Sequence, residues 1–357
     1  MRVLVINCGS TTLKYKLFQD RGTELEQLAA AVVETTGGYR AAVEQALAAL
    51  PAPADVIAHR VVHGGGRLPD VVRIDSQVLR LLREVTPLAP MHNGPALEGI
   101  EATQASGVPL VAAMDTAFHA TLPPRAWRYA LSEVAGVRRY GFHGWSHRYV
   151  TERYAALTGS AEPTIVTLHL GGGCSAAAIL RGRSVDTSMG YSPLEGLVMG
   201  TRAGDLDPGI LTHLLHEGMS LQQLEQLLQH EAGLKALAGT ADVRELQERN
   251  DPAAELALDV FCYRIQKYVG AYLAALEGAE AIVFTGGIGE HAPEIRRRVC
   301  ERFGWAGLIL DVERNRRNEV RISGEGSRLA AYAIPTDEEY LIARETVKLM
   351  ERERESP

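Results

Sequence analysis

The feature that most constrains the fold of this chain is a pattern that occurs twice. Residues 3–18 read VLVINCGSTTLKYKLF, and residues 165–180 read IVTLHLGGGCSAAAIL. Each segment contains an apolar run, a turn of small residues and a second run, which is typical of two strands joined by a tight turn. The recurrence predicts two similarly built halves. A chance likeness between two unrelated hairpins is the alternative.

Strand-like segments alternate with segments of helical periodicity, which predicts an α/β fold. A chain of 357 residues is too long for one core, so two domains are expected. Beyond the two hairpins, strands are predicted at 28–33, 56–62, 108–114 and 281–284. Helices are predicted at 37–50, 77–85, 144–157, 208–216, 221–229, 252–276 and 293–303, and from 336 onward.

Composition excludes several classes of protein. The net charge is −7 and no basic stripe stands out, so no nucleic-acid partner is expected. The triplet Arg296–Arg298 is expected on the solvated face of a helix. No apolar run is long enough to span a bilayer, and the first residues fit a strand better than a signal peptide. Four widely spaced cysteines without a CxxC pair indicate a reducing compartment, so we expect a cytoplasmic protein.

Three glycine-rich turns follow apolar strands. The first, residues 7–12, combines a glycine with the hydroxyls of Ser10 and Thr12, and Lys14 follows it. Exposed backbone N–H groups, hydroxyls and one positive charge suit a phosphate or its metal ion. A plain hairpin turn is the alternative. The second turn, Gly171–Gly173, follows His169, and three glycines there indicate a backbone that lies close to a ligand.

The third turn, Gly286–Gly289, lies between a predicted strand and a predicted helix, which is the usual setting of an anion or nucleotide site. Residues 287–292 also match GxGxxA, with Asp311 about twenty residues on. No further βαβ units remain after it to complete a dinucleotide fold. The chain contains neither a GxxxxGK[ST] loop nor the protein-kinase motifs, so hairpin turns must hold any phosphates.

Charged residues in glycine-rich contexts complete the candidate site. Arginines in such contexts can bind a phosphate or a carboxylate through two parallel hydrogen bonds. The histidine pairs His143/His147 and His59/His63 have the i, i+4 spacing of zinc ligands, but neither pair is followed by a third ligand. The charged candidates are Arg60, Asp115, His143 and Arg202.

The motifs together resemble the acetate, propionate and butyrate kinase family of the actin-like ATPase superfamily. The likeness runs almost from end to end. It is carried by the opening hairpin and by HRVVHGG, PLAPMHN, MDTAFHATLP, RYGFHGWSHRYV, LHLGGGCS, DTSMGYSPLEGLVMGTRAGDLDP, ADVREL, FTGGIGEHAPEIR and IPTDEEYLIARET.

The resemblance implies a fold, a reaction and partners. The fold is α/β with duplicated actin-like (ribonuclease H-like) domains and a cleft between them. The first domain is expected at 1–147 plus a returning helix at 337–357, and the second, nucleotide-binding domain at 148–336. The reaction is reversible phosphoryl transfer from ATP to acetate, which gives acetyl phosphate and ADP. Mg²⁺, with Mn²⁺ as an alternative, and a homodimer are also implied.

The resemblance also implies roles for individual residues. The catalytic set is Asp115, His143 and Arg202, and the substrate-binding set is Arg60 and His92. The metal lies near Asn7 and Glu338, and the phosphate site includes Ser10 and Thr12. The nucleotide-binding set is Lys14, His169, Leu170, Gly171, Gly172, Gly173, Asp242, Val243, Arg244, Gly287, Ile288, Gly289, Glu290 and His291.

Two inferences qualify this assignment. Thr336 and Glu339 have the spacing of a capping box, which would leave Glu338 free for the metal. The third glycine turn is better suited to adenosine than to phosphate.

The chain also departs from the family pattern, which usually has Ser at the position of Thr12 and Asn at the positions of Gly172 and His291. The changes at Gly172 and His291 keep a different phosphoryl donor such as pyrophosphate open as an alternative. A propionate or butyrate kinase, which differs only in the size of the acyl pocket, is a second alternative. A non-catalytic nucleotide-binding protein of the same fold is a third, and the presence of Arg60, Asp115, His143, Arg202 and Glu338 together argues against it.

Overall fold

A computed structural model describes residues 1–9, 12–132 (without the side chain of Met91) and 136–355. The chain forms two compact units. The first unit is Met1–Ala120 with the segment that begins at Asp337, and the second is Thr121–Thr336. Residues 121–147, which the sequence analysis placed in the first domain, therefore belong to the second unit. Tyr140, for example, donates its backbone N–H to the Gly190 carbonyl at 3.0 Å.

The first unit contains six strands and four helices among its described residues. The strands are β1 (Arg2–Cys8), β2 (Thr12–Asp20), β3 (Leu25–Glu34), β4 (Val56–Val61), β5 (Val71–Arg73) and β6 (Leu110–Met114). The helices are α1 (Tyr39–Ala48), α2 (Ser76–Val85), α3 (Pro90–Thr103) and, after the chain has passed through the second unit, α14 (Glu338–Glu355).

The first sheet has the strand order β3-β2-β1-β4-β6-β5. Strands β1, β2 and β3 form an antiparallel meander, whereas β1, β4 and β6 are parallel. Val3 to Ile6 of β1 are all fully buried, as expected for a central strand covered on both faces. Residues of α1, α2 and α3 pack with Leu4 and Ile6 on one face. Helix α14 packs against strands β1 and β2, where the ring of its Tyr340 contacts the ring of Phe18.

The second unit contains the other five strands and the other helices that the structure describes. The strands are β7 (Ile165–Leu170), β8 (Cys174–Leu180), β9 (Arg183–Thr187), β10 (Ala281–Thr285) and β11 (Ala330–Ala333). The helices are α4 (Pro124–Trp127), α5 (Gly144–Thr158), α6 (Pro208–His216), α7 (Leu221–Gln226), α8 (Gly233–Ala238), α9 (Val243–Glu248), α10 (Pro252–Ala275), α11 (Gly286–His291), α12 (Pro293–Cys300) and α13 (Val312–Arg316).

The second sheet repeats the plan of the first. Its strand order is β11-β10-β7-β8-β9. Strands β7, β8 and β9 form an antiparallel meander, and β10 and β11 continue the sheet in parallel with β7. The recurring sequence thus occupies the same position in both sheets, which confirms the predicted α/β fold with two similarly built halves. The first sheet adds β5 as an antiparallel edge strand.

Three local predictions differ from the structure. The third glycine turn is itself the short helix α11, and the last helix begins at Glu338 rather than at Thr336. The predicted helix over 221–229 divides into α7 and a single π-helical turn, Leu227–Glu231. All four cysteines are free and buried. No helix within the described ranges is both long and apolar enough to cross a membrane.

A buried histidine beside the candidate site makes the stability of the first unit depend on pH. His59 of β4 is 1% exposed, and its Nε2 lies 2.9 Å from the Thr103 hydroxyl. Burial lowers the pKa of His59 to about 3. Below pH ~6.5 the unfolded chain binds a proton at this position and the folded chain does not, so the free energy of unfolding decreases as the pH falls.

We expect His59→Gln to reduce this pH dependence. As the pH falls from about 6 to about 4, the unfolding free energy of both proteins should decrease. The decrease per pH unit should be up to about 1.4 kcal/mol larger for the wild type than for the variant. Urea unfolding at several pH values measures the difference. His216→Gln, which removes an exposed histidine, is the control and should follow the wild type. Parallel curves for wild type and His59→Gln would contradict the prediction.

Candidate active site

The parallel strands of the first sheet bring one group of predicted residues together. Strands β1, β4 and β6 end at the same edge, because the carboxyl ends of parallel strands coincide. Asn7 lies near the end of β1, Arg60 near the end of β4, and Asp115 directly after β6. The Asp115 backbone N–H donates to the Val61 carbonyl at 2.9 Å, which continues the β4–β6 ladder by one bond and fixes the carboxylate at the edge.

Arg60 is the centre of this group. Its Nη1 donates to Asn7 Oδ1 at 3.3 Å, and its Nη2 donates to Asp115 Oδ2 at 2.9 Å. Its Nε lies 3.3 Å from Glu338 Oε2 at the start of α14. Four of the predicted residues, separated widely in sequence, are therefore in direct contact through one guanidinium.

The charges of this group do not balance. Burial raises the pKa of Glu338 to about 7, Arg60 opposes this shift, and Asp115 adds to it. Burial alone would lower the pKa of Arg60, but Asp115 and Glu338 hold it above its ordinary value. One arginine thus faces two buried carboxylates. A second cation would relieve their repulsion, since a nearby opposite charge favours the ionised carboxylate.

The start of α14 is held differently from the prediction. The predicted capping box of Thr336 and Glu339 is wrong. Asp337 is the capping residue, and its Oδ1 accepts from the Tyr340 N–H at 3.0 Å. Lys16 Nζ lies 2.8 Å from Asp337 Oδ1 and 3.5 Å from Glu339 Oε2. Ion pairs on both sides of Glu338 therefore fix the helix terminus, and Glu338 remains directed at Arg60.

The other predicted residues of the first unit lie on neighbouring elements. Lys14 pairs with Asn7 across the β1–β2 ladder, and Thr12 accepts a hydrogen bond from the Gly9 N–H. His92 is in the first turn of α3. Ser10 lies outside the described residues. The adjacent Asn93 was not predicted as a site residue, although its side-chain amide binds both backbone groups of His63 and so holds the loop after β4.

In the second unit, β7 and β10 place two glycine turns side by side. Thr285 pairs with His169 in the last register position of the two parallel strands. A Cβ on Gly171 would lie 3.9 Å from the Gly287 N atom. Gly286 has φ +75°, and a Cβ there would lie 2.6 Å from the Leu170 carbonyl oxygen. The close approach of the two turns therefore requires glycine at position 286.

His143 and His169 form a stacked pair beside the second turn. Their ring centroids are 4.2 Å apart and the ring planes differ by 26°. His169 Nδ1 is 2.7 Å from the Ser146 hydroxyl, and His143 Nδ1 is 2.9 Å from the Ser175 hydroxyl. His143 precedes α5 with φ 55°, a left-handed conformation that is uncommon for a residue other than glycine.

Arg202 lies next to the same turn and is a mostly buried cation. A Cβ on Gly173 would lie 3.2 Å from the His143 ring and 3.8 Å from Arg202 Nη1. Arg202 Nη1 donates to the Pro193 carbonyl at 3.0 Å. No carboxylate within the described residues pairs with Arg202. Burial lowers the pKa of Arg202, so this guanidinium needs an anionic partner.

The third turn is stabilised from within the second unit. Glu290 Oε1 accepts from the Gly286 N–H at 2.9 Å and from the Thr336 N–H at 3.1 Å. The carboxylate of Glu290 therefore holds the turn closed. Ile288 and Gly289 lie on α11. The side chain of His291 at the end of α11 is 74% exposed, so it is available to a ligand at the surface.

Arg296 is buried, which corrects its predicted place on a solvated helix face. Its side chain is fully buried, and burial lowers the pKa of Arg296 to about 10. Its guanidinium donates to the carbonyls of Gly289 and Glu290, at 2.8 Å each, and to Asn315 and Asn318. Arg296 thereby positions the end of the third turn. Arg297 and Arg298 do form surface ion pairs.

The predicted segment Asp242–Arg244 forms the start of α9. Asp242 accepts from the Arg244 N–H at 2.8 Å, and the two side chains form an ion pair. Val243 is buried. The hydrogen bond and the ion pair of Asp242 with Arg244 lie within this segment, and its nucleotide role stays a prediction. The described residues contain no group of three His, Cys, Asp or Glu side chains that could hold a metal ion.

The fold and the two groups of candidate residues indicate the structural class of the protein. Two α/β units on one plan, with glycine turns at strand ends and arginines beside them, form the fold of the actin-like ATPases. The family model described as the acetokinase family matches residues 39–344. The chain therefore belongs to the acetokinase family.

Individual relatives agree with this assignment. The acetate kinase of Chloroherpeton thalassium is 42% identical over 99% of this chain and 100% of its own. The crystal structure of Porphyromonas gingivalis acetate kinase matches with a TM-score of 0.89 and 36% identity, over 98% of this chain and 99% of that one. A propionate kinase from Francisella tularensis matches with a TM-score of 0.89 and 34% identity, over 96% and 98% of the two chains.

The second glycine turn yields a matched pair of substitutions. Gly173→Ala would place a methyl group 3.2 Å from the His143 ring, whereas Gly172→Ala would meet no atom within 4 Å. We expect Gly173→Ala to shift the His143 ring by a few tenths of an ångström and to reduce turnover by roughly ten-fold, less than the ~10²-fold that a full ångström can cost at a reacting centre. Gly172→Ala leaves the position of His143 unchanged and should retain more turnover than Gly173→Ala. Steady-state kinetics measure both, and equal rates for the two variants would refute this account of the turn.

Proposed function

We propose that this protein is an acetate kinase, which transfers the γ-phosphoryl group of ATP to acetate and forms acetyl phosphate and ADP reversibly. The observation that supports this most directly is Arg202, a buried guanidinium without a carboxylate partner among the described residues, beside His143 and a glycine turn. A phosphoryl group supplies the anion that this position requires. Membership of the acetokinase family supports ATP and a short carboxylic acid as substrates.

In the proposed reaction, an acetate oxygen attacks the γ-phosphorus while the bond to the bridging β,γ oxygen breaks, and ADP leaves. Acetate is ionised at neutral pH, so no general base is needed. The protein mainly positions the reactants and stabilises negative charge that spreads over the phosphoryl oxygens. Arg202 supplies fixed positive charge there, and an N–H of His143 donates to an equatorial oxygen.

Arg60 is the proposed acetate-binding residue. A guanidinium has five N–H donors. Asn7 accepts from Nη1 and Asp115 accepts from Nη2, while Nε forms an ion pair with Glu338, so each Nη keeps one further N–H. We assign these N–H groups and the positive charge of Arg60 to the carboxylate of acetate, because a guanidinium suits a carboxylate in charge and geometry. Asp115 is accordingly assigned the orientation of Arg60, not proton removal. We assign His92, in the first turn of α3, to the same substrate site.

Mg²⁺ is the proposed metal, with Mn²⁺ as an alternative. Asn7 and Glu338 offer an amide and a carboxylate oxygen, and Mg²⁺ typically takes one or two carboxylates together with phosphates and water. Burial raises the pKa of Glu338, and Asp115 adds to this shift, so a bound cation would favour the ionised form of Glu338. When bound, Mg²⁺ would neutralise charge on the transferring phosphates. The glycine turns and His169 are assigned to the ATP phosphates, and 287–291 and 242–244 to adenosine.

The acyl acid and the phosphoryl donor have alternatives. A structural relative of nearly equal similarity is a propionate kinase, and one methylene in an apolar pocket changes binding by only about 1–3 kcal/mol. Pyrophosphate is the alternative donor, because Gly172 removes a side-chain amide that the family usually has. Incubation with ATP or pyrophosphate, Mg²⁺ and acetate, propionate or butyrate, with hydroxylamine to trap acyl phosphate, distinguishes these cases. No hydroxamate with any combination would contradict the proposed function.

Arg202→Ala should lower kcat by about 10²- to 10³-fold, the usual cost of removing one fixed transition-state donor. The physical reason is the loss of the buried positive charge next to the transferring phosphoryl group. The hydroxamate assay measures this directly. Arg181→Ala removes an exposed arginine of the same unit and should retain wild-type turnover. Full activity of Arg202→Ala would show that the phosphoryl group is bound elsewhere.

We also propose a cytoplasmic homodimer. Free, buried cysteines suit a reducing compartment. Helix α6 has a largely apolar sequence, PGILTHLLH, yet none of its residues is buried, and Ile210 and Leu215 are exposed. An apolar surface of this kind marks a protein contact, and a second copy of the chain is its proposed occupant.

Charges on α6 should disrupt that dimer. The double variant Ile210→Asp, Leu215→Asp is expected to be a monomer, because an unpaired carboxylate in an apolar interface is strongly unfavourable. Size-exclusion chromatography with light scattering gives the mass. Leu157→Asp, which charges an exposed leucine of α5, is the control and should remain dimeric. A monomeric wild type, or a double variant with the mass of a dimer, would contradict the proposal.

A further inference from the structure

A continuous chain of hydrogen bonds ends at His143. Thr167 Oγ1 lies 2.7 Å from His147 Nδ1, His147 Nε2 lies 2.7 Å from Ser175 Oγ, and Ser175 Oγ lies 2.9 Å from His143 Nδ1. Thr167, His147 and Ser175 are completely buried. His147 and Ser175 have a neighbour on each side. A neutral imidazole and a hydroxyl each donate one proton and accept one here, so the hydrogen bonds must all point in the same direction along the chain.

In one direction the protons run from Thr167 to His143. Thr167 donates to His147 Nδ1, His147 Nε2–H donates to Ser175, and Ser175 donates to His143 Nδ1. The proton of His143 is then on Nε2, the nitrogen beside Gly173. In the opposite direction His143 donates through Nδ1–H, so that Nε2 carries a lone pair and would repel a phosphoryl oxygen.

Thr167 decides between the two directions. The only hydrogen bond that its side-chain hydroxyl makes to a described residue is the one to His147. In the reverse direction Thr167 would accept from His147, and its own hydroxyl proton would be buried without an acceptor. Buried donors without acceptors are strongly disfavoured. The protons therefore run outward, from the β7 strand interior to His143.

We propose that His147, Ser175 and Thr167 are positioning residues that hold His143 as the Nε2–H tautomer, so that this ring presents a donor to the phosphoryl group. This inference rests on the proposed function, which makes His143 a transition-state donor. It adds three residues that do not touch substrate and act only through His143. The i, i+4 spacing of His143 and His147 thus serves a relay rather than a metal.

The tautomer of His143 can be measured without any activity. Protein labelled with ¹⁵N-histidine is examined by long-range ¹H–¹⁵N NMR, and His143→Gln identifies the resonances of His143. We expect wild-type His143 to carry its proton on Nε2 and an unprotonated Nδ1. A wild-type His143 with its proton on Nδ1 would overturn the proposal, whatever the enzyme activity.

Two substitutions then test the relay. Ser175→Ala breaks it next to His143, so the Nδ1–H tautomer should appear in the spectrum. We expect kcat to fall about ten-fold and both KM values to stay within about two-fold, because the donor is still present but is no longer fixed. Unchanged tautomer and unchanged kcat in Ser175→Ala would refute the relay.

Thr167→Val and Thr167→Ser are a matched pair for the distant end. The serine variant keeps the hydroxyl and should resemble the wild type. The valine variant leaves His147 Nδ1 without a hydrogen-bond partner from residue 167 in either direction, so the preference should weaken, and we expect a mixture of both His143 tautomers and a reduced kcat. This pair decides the question if Ser175→Ala does not fold. A wild type that forms no acyl phosphate would refute the proposed function while leaving the tautomer measurement valid. An active wild type with equal Thr167→Val and Thr167→Ser spectra would refute the relay alone.

Discussion

Parallel strand pairing is the constraint on which the rest of the structure depends. In each sheet an antiparallel meander is followed by parallel strands, so that several strands end at one edge. The register between β7 and β10 sets Thr285 opposite His169 and thereby brings two glycine turns together. A shift by one residue would reverse which side chains face the core. The buried strands thus determine where the candidate site lies, and the loops at their ends carry its candidate residues.

Three arginines, one fully buried and two partly buried, show how differently one cationic group can be accommodated. Arg60 is paired with carboxylates. The guanidinium of Arg296 donates hydrogen bonds to backbone carbonyl and side-chain amide oxygens. Its charge has no carboxylate partner among these acceptors, but its hydrogen bonds are all made, and it supports the structure of the third turn. Arg202 has one backbone carbonyl and a thioether as described partners. A buried charge without compensation is tolerated only where a ligand completes it, which is why Arg202 indicates function more clearly than the other two.

The sequence predicted the repeated hairpins and the glycine turns, because short apolar strands and glycines leave strong local signals. The resemblance to a known family, and not a local signal, named the residues that the structure places around Arg60. It misjudged features that depend on tertiary contacts. Arg296 lies in a run of three arginines, and only the packing of α12 determines which of them turns inward. Thr336 and Glu339 had the spacing of a capping box, but Lys16 from β2 binds Glu339 instead. Ser175 and Thr167 look like ordinary strand residues, so nothing local marks them as partners of a histidine.

Three features fix the position of the His143 ring. Its left-handed backbone (φ 55°) is a conformation that persists only where the surroundings determine it, as it does at many functional sites. Stacking on His169 fixes the plane of the ring, and the hydrogen bond from Nδ1 to Ser175 fixes the orientation of the ring within that plane. In the proposed reaction, a donor held in this way would need no reorganisation when negative charge develops nearby, and this is the property that makes fixed dipoles effective in catalysis. The backbone conformation, the stacked ring and the proposed relay thus all act on the ring of His143.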